Sequence, residues 1–152
     1  MNTGLQNNEA RYQEAQALLQ RYTQSLFTKD IDGWMSLLDD NFVIEFPFAP
    51  QGRPNRIEGK ANLHSYIQQV LNSIEFVGIV QQQIHLAADA DVMIVEITVE
   101  GRAPSMEKIH TLKYIWVLTT KDGKLIHQRD YWNPQAMLEV MRDATASQTQ
   151  QR

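Results

Sequence analysis

Hydrophobic and polar residues follow two different rhythms along this chain. Up to Ile74 most apolar positions recur at three- and four-residue steps; from Phe76 to Asn133 they tend to alternate. Over residues 9–29, Tyr12, Ala15, Leu18, Leu19, Tyr22 and Leu26 form one stripe, which predicts an amphipathic helix. Residues 30–38 predict a second, shorter helix capped by Asp32, with Trp34, Leu37 and Leu38 inward. Asp39-Asp40-Asn41 reads as a turn. The alternation that follows puts Phe42, Ile44, Phe46 and Phe48 on one face of a strand, with Pro47 marking an edge or an end. Residues 49–59 form a loop holding Arg53 and Arg56. Leu63, Tyr66, Ile67, Val70, Leu71 and Ile74 then predict a third helix.

Four strands are expected after that, over 77–86, 92–101, 108–120 and 124–133, with turns at residues 89–91 and at Asp122-Gly123. A short amphipathic helix over 136–141 and a polar tail complete the chain. Asp122-Gly123 suits a type I′ hairpin turn, which pairs Lys121 with Lys124. Counting back, Asp130 faces Ile115, Gln128 faces Val117 and Trp132 faces Lys113. Lys113, Ile115 and Val117 would then share a face with Gln128, Asp130 and Trp132. His110, Leu112, Tyr114, Trp116 and Leu118 would share the other with Leu125, His127, Arg129 and Tyr131. Both faces are largely apolar, so each should be covered: one by helices, the other by a second subunit. Asp130 stands out as a carboxylate among apolar residues. Helices first and consecutive strands later predict an α+β fold, a strongly curved antiparallel sheet wrapped over three helices. One domain over 9–142 is expected, with flexible tails at 1–8 and 143–152.

Composition narrows the function classes. A length of 152 residues suits one domain with a full core. A net charge of −4 without a basic cluster argues against tracking nucleic-acid phosphates. No apolar run is long enough for a membrane span, and the N-terminus carries no apolar signal segment. The chain has no cysteine, which fits a reducing cytoplasm, the expected location. His64, His85, His110 and His127 show no metal-ligand spacing, and no glycine-rich phosphate loop is present, so neither metal nor cofactor is expected.

Several segments resemble a known family. Gln20-Arg21-Tyr22, Asp30-Ile31-Asp32-Gly33 and Leu38-Asp39-Asp40 resemble the opening of a ketosteroid isomerase. The run FVIEFPFAP over 42–50, followed by Glu58-Gly59, resembles the first strand and loop of SnoaL-like proteins. Arg129-Asp130-Tyr131-Trp132-Asn133-Pro134 resembles the last strand of SnoaL-like and phenazine-biosynthesis A/B proteins. Over roughly residues 12–142 the chain is therefore similar to the nuclear transport factor 2-like superfamily, closest to its SnoaL-like branch. The resemblance implies a cone with a small-molecule pocket, and a homodimer through the outer sheet face. Tyr22 matches the oxyanion-donor tyrosine of ketosteroid isomerases. Their catalytic aspartate falls on Phe46 here, and their second oxyanion donor falls on or beside Ile115. Asp130 matches the last-strand acid that SnoaL-like cyclases and phenazine-biosynthesis A/B proteins use in acid/base work. Their partner histidine has no aligned match, His85 being the nearest by element. The epoxide hydrolases of the superfamily use an Arg-x-Asp pair; Arg102-Ala103-Pro104 lacks the aspartate.

The candidate site follows from both lines of reasoning. Asp130 would be a general acid/base whose carboxyl is raised by an apolar pocket, or else an ion-pair partner of Lys113, Arg129 or Arg53. Tyr22 would orient or stabilise an oxyanion, or be a core aromatic. Phe42, Ile44, Phe46, Ile115 and Trp132 would shape the cavity, with Lys113 and His85 facing the ligand or the solvent. Glu45 would face away and pair with Arg53 or Arg56. Trp116, His110 and His127 fall on the interface side. The function expected is binding of a small, mostly apolar organic molecule, with acid/base cyclisation, isomerisation or condensation by Asp130. A non-catalytic carrier or sensor, and a dimeric protein-interaction module, are the alternatives.

Overall fold

The structure, a computed structural model, describes residues 3–150, leaving aside the side chains of residues 3, 5 and 147–150. Elements follow in the order α1 (Thr3–Phe27), α2 (Ile31–Ser36), β1 (Leu38–Glu45), β2 (Arg56–Glu58), α3 (Lys60–Ser73), β3 (Glu75–Leu86), β4 (Val92–Arg102), β5 (His110–Lys121), β6 (Lys124–Trp132) and α4 (Pro134–Gln150). The strands make a single curved, unclosed sheet in the order β2-β1-β6-β5-β4-β3. Every pairing is antiparallel except β1 with β6, which is parallel.

The helices form where the apolar stripes predict them. α1 buries Ala15, Leu18, Leu19 and Tyr22, and α3 buries Leu63, Ile67 and Leu71. These side chains meet the inward rows of the sheet: Phe42, Ile44 and Phe46 near β1, Met93, Val95, Ile97 and Val99 on β4, and Leu112, Trp116 and Leu118 on β5. The α2 cap differs from expectation. Asp30, not Asp32, accepts from the Gly33 backbone N–H at 2.9 Å. Asp32 lies within the first turn, where its charge complements the helix dipole. Asp39-Asp40-Asn41, expected as a turn, is instead part of β1. The Asn41 N–H bonds Asp39 Oδ1 at 2.9 Å, and the β1–β6 register shifts between Leu38 and Val43. The loop expected over 49–59 contains β2, which pairs Ile57 with Ile44. α4 continues well beyond residue 141, and its Asp143 meets His110 of β5 at 2.7 Å.

The β5–β6 hairpin carries the main correction. Asp122 and Gly123 both have positive φ, 52° and 80°, as a type I′ turn requires, and Lys121 does pair with Lys124. Two residues further on the register slips. Thr120 faces Leu125 but Thr119 faces His127, so Ile126 is an extra residue on β6. A one-residue slip inverts every later face relation. Asp130 therefore lies opposite Trp116, Gln128 opposite Leu118 and Trp132 opposite Tyr114. Leu112, Tyr114, Trp116 and Leu118 point inward with them, while Lys113, Ile115 and Val117 point outward. Two further bulges on β3, at Val77 and Val80, bend that edge of the sheet.

Candidate functional site

Between the concave face of the sheet and helices α1, α3 and α4 lies a cavity of about 380 Å³, the size of a small-molecule site. Its walls are mostly apolar: Leu26 from α1, Ile67 and Val70 from α3, Ile97 and Val99 from β4, Phe46 after β1, and Met137 and Met141 from α4. Arg53, Pro54, Gln69 and Asn72 also line it and are exposed, which marks the opening.

Asp130 lies on the sheet wall at 7% exposure, and its Oδ1 has no hydrogen-bond partner. Burial pushes its carboxyl up to about 7 from the usual 3.8; the nearby Trp116 indole pulls the other way. The two groups are close enough for that pull without meeting hydrogen-bond geometry, since Trp116 Nε1 is itself unpaired. Three tyrosines share the cavity: Tyr22, Tyr66 and Tyr114. Burial first, and the Asp130 charge second, push each hydroxyl far above the ordinary tyrosine value, so all three keep their protons. Tyr22 donates to Gln128 Oε1 at 3.1 Å, leaving the Gln128 amide nitrogen unpaired. The rings pack edge to face or tilted. Tyr22 lies 4.9 Å from Trp116, Phe46 lies 5.4 Å from Tyr66, and Phe46 lies 6.5 Å from Trp132. The result is a mostly apolar, aromatic chamber that, among the described residues, holds one carboxyl and several unpaired N–H and O–H donors.

The structure brings Asp130, Tyr22, Phe46 and Trp132 together around this chamber. Phe42 and Ile44, at 1% and 0% exposure, belong to the core and do not line the cavity. Lys113 and Ile115 are corrected outright. The Ile126 bulge puts them on the outer face, Ile115 at 43% exposure, so Lys113 cannot be the partner of Asp130. His85 also faces outward, where it meets Glu96 at 2.8 Å. His127 is on the outer face as expected and bonds Glu45, which also approaches Arg56 at 3.5 Å. Trp116 and His110, assigned to the outer side by the unbroken register, are instead buried on the inner side. Tyr66, Tyr114 and Trp116 are the cavity-lining residues that pattern reading missed, and Gln128 lies behind them, bonded to Tyr22. Tyr66 did have a signal, its place on the α3 stripe, but it was counted only as an apolar position. Among the described residues no group of three His, Asp or Glu side chains could hold a metal ion.

A curved, unclosed six-stranded sheet wrapped over helices is the cone of nuclear transport factor 2-like proteins. The chain belongs to the SnoaL-like domain family, whose sequence model matches residues 19–128. It is 34% identical over 129 residues to the uncharacterized protein YesE of Bacillus subtilis, covering 85% of this chain and 88% of that one. It is 32% identical over 127 residues to the uncharacterized PhzA/B-like protein PA3332 of Pseudomonas aeruginosa, covering 84% and 89%. A crystal structure of a candidate isomerase from Bacillus subtilis superposes with a TM-score of 0.80 at 32% identity, covering 88% of this chain and 96% of that one.

Proposed function

We propose that the protein binds a small, mostly apolar carbonyl compound in the cone and moves a proton on it through Asp130, as an isomerase or cyclase. One observation carries this reading: Asp130 is buried at the cavity wall with an unpaired oxygen and a carboxyl poised near neutrality. A base works best when its pKa lies near the working pH. The carboxylate would take a proton from the carbon beside the carbonyl. The electron pair moves onto the carbonyl oxygen, where free donors such as the Trp116 and Trp132 indoles can hold it. Asp130, now protonated, returns the proton to another carbon; in a cyclisation the enolate carbon instead attacks a second carbonyl of the same molecule, whose π bond breaks, and the alkoxide formed takes the proton from Asp130. The candidate isomerase and the PhzA/B-like protein among its relatives agree with acid/base chemistry of this kind. Phe46 leaves no acid at the ketosteroid isomerase base position, so Asp130 carries both proton steps.

The test is an assay of keto-enol and ring-closing substrates with wild type and Asp130→Asn. Loss of general acid/base catalysis is worth about 10²–10⁴-fold in kcat, with ligand affinity changed only a few-fold. A carrier is the second reading, favoured because the Tyr22 hydroxyl is already engaged by Gln128 rather than free to meet an oxyanion. Tight binding with no turnover in either protein would select the carrier and reject the enzyme.

A further inference from the structure

We propose that the cavity takes an amphiphilic anion: an apolar body with a neutral acceptor oxygen toward Asp130, and a negatively charged group held by Arg53 at the opening. The acceptor end rests on the reading of Asp130 given above; the anion end rests on Arg53 alone.

Arg53 is the one cation and Asp130 the one acid among the residues lining the cavity. Arg56 and Arg102, by contrast, are paired. Arg56 lies 3.1 Å from Glu58 and 3.5 Å from Glu45, and Arg102 lies 3.0 Å from Glu75. Among the described residues Arg53 has no carboxylate partner. Its Nη2 meets only the Met141 sulfur, at 2.9 Å. A thioether is a weak acceptor and leaves most of the five guanidinium donors unused. That contact sets the exposed Arg53 side chain beside α4, at the rim of the cavity. The backbone supports the placement, since the Arg53 N–H bonds the Pro50 carbonyl at 3.1 Å and Pro54 follows. A planar fork with unused donors is the group that grips carboxylate, sulfonate or phosphate in two-point fashion.

The inner end selects against charge. Trp116 Nε1 and Trp132 Nε1 are buried donors without partners among the cavity-lining residues, and Asp130 is the acidic group on the same wall. A ligand anion there would meet the negative charge of an ionised Asp130 on the same wall. A neutral carbonyl oxygen would satisfy the donors at no such cost. The two ends together orient the molecule, charge outward and carbonyl inward, and so bring the carbon beside the carbonyl toward Asp130.

Two fluorescent probes that share one ring system separate these terms: anilinonaphthalene sulfonate, an anion, and N-phenylnaphthylamine, its neutral parent. Each is titrated into wild type, Arg53→Gln and Arg53→Lys. Wild type should bind the sulfonate about tenfold more tightly than the neutral probe, the low end expected for a charge-assisted contact at an exposed rim. Arg53→Gln should lose that preference while its affinity for the neutral probe stays unchanged, which also reports an intact cavity. Arg53→Lys should recover part of it. Equal binding of both probes by wild type, parallel weakening of both in Arg53→Gln, or no binding of the sulfonate would each overturn the anion site. Turnover lost in Asp130→Asn is read separately. The proton-transfer reading can therefore fail while the sulfonate preference stands, and the reverse.

Discussion

Asp130 is a costly residue to keep. Its carboxyl is buried without an ion-pair partner and pushed up to about 7 from 3.8. The folded state thus holds a proton that the unfolded chain has already released. The stability linked to this group is fully present below about pH 4, falls as the pH rises, and reaches its floor once the pH passes about 7. Between pH 5 and 8 the loss amounts to about 2–3 kcal/mol. Asp130→Asn cannot titrate there. Denaturation of both proteins at pH 5 and pH 8 should show wild type losing that amount relative to the variant; parallel curves would mean a solvated or paired carboxyl. Asp130 was legible in the sequence because an acid inside an apolar strand pattern is conspicuous. Its surroundings were less so. Trp116 and Tyr114 carry no local mark saying which face of a two-sided apolar strand is buried, and only the pairing register decides that.

The register turned on one residue. The Asp122-Gly123 turn was readable because positive φ at two successive positions demands that kind of dipeptide. The extra Ile126 was not, since Leu125-Ile126-His127 looks like any other strand and a bulge follows from the packing of both flanking strands. The helices were legible for the opposite reason: their stripes fix the buried face without reference to a partner. The parallel β1–β6 pairing is a long-range contact that no local pattern encodes. If the bulge is what turns Asp130 inward, deleting Ile126 should break the fold. Residues 127–132 would present His127, Arg129 and Tyr131 to the core, or the turn would have to distort. The expected result is a loss of at least about 4 kcal/mol, the range of buried-charge and core disruptions, seen as no cooperative unfolding transition. A stable, cooperatively folding deletion variant would show that the bulge is dispensable.

At the scale of the whole molecule, the sheet separates two surfaces of different character. The concave side, with α1, α3 and α4, encloses the cavity. α4 belongs to it through Met137 and Met141 at the wall and through Asp143, which meets the buried His110. The convex side carries exposed Ile109 and Ile115 at 42% and 43%, beside the His85–Glu96 and His127–Glu45 contacts. Among the described residues no helix is long and apolar enough to cross a membrane. The SnoaL-like cone could be recognised from motif order, because Tyr22, the 42–50 run and the Arg129–Pro134 run follow one another in an order and spacing that resemble that branch. The cavity's polar content emerges only when strands far apart in sequence are brought side by side.

The proposed chemistry requires the Asp130 carboxyl to change protonation near neutral pH inside the cavity. The most direct measurement is an NMR titration of the Asp130 side-chain carboxyl carbon, with and without anilinonaphthalene sulfonate bound. A midpoint near 7, well above the ordinary 3.8, is expected, and it should move when the probe occupies the cavity. A midpoint in the ordinary carboxylate range, unmoved by the probe, would contradict it.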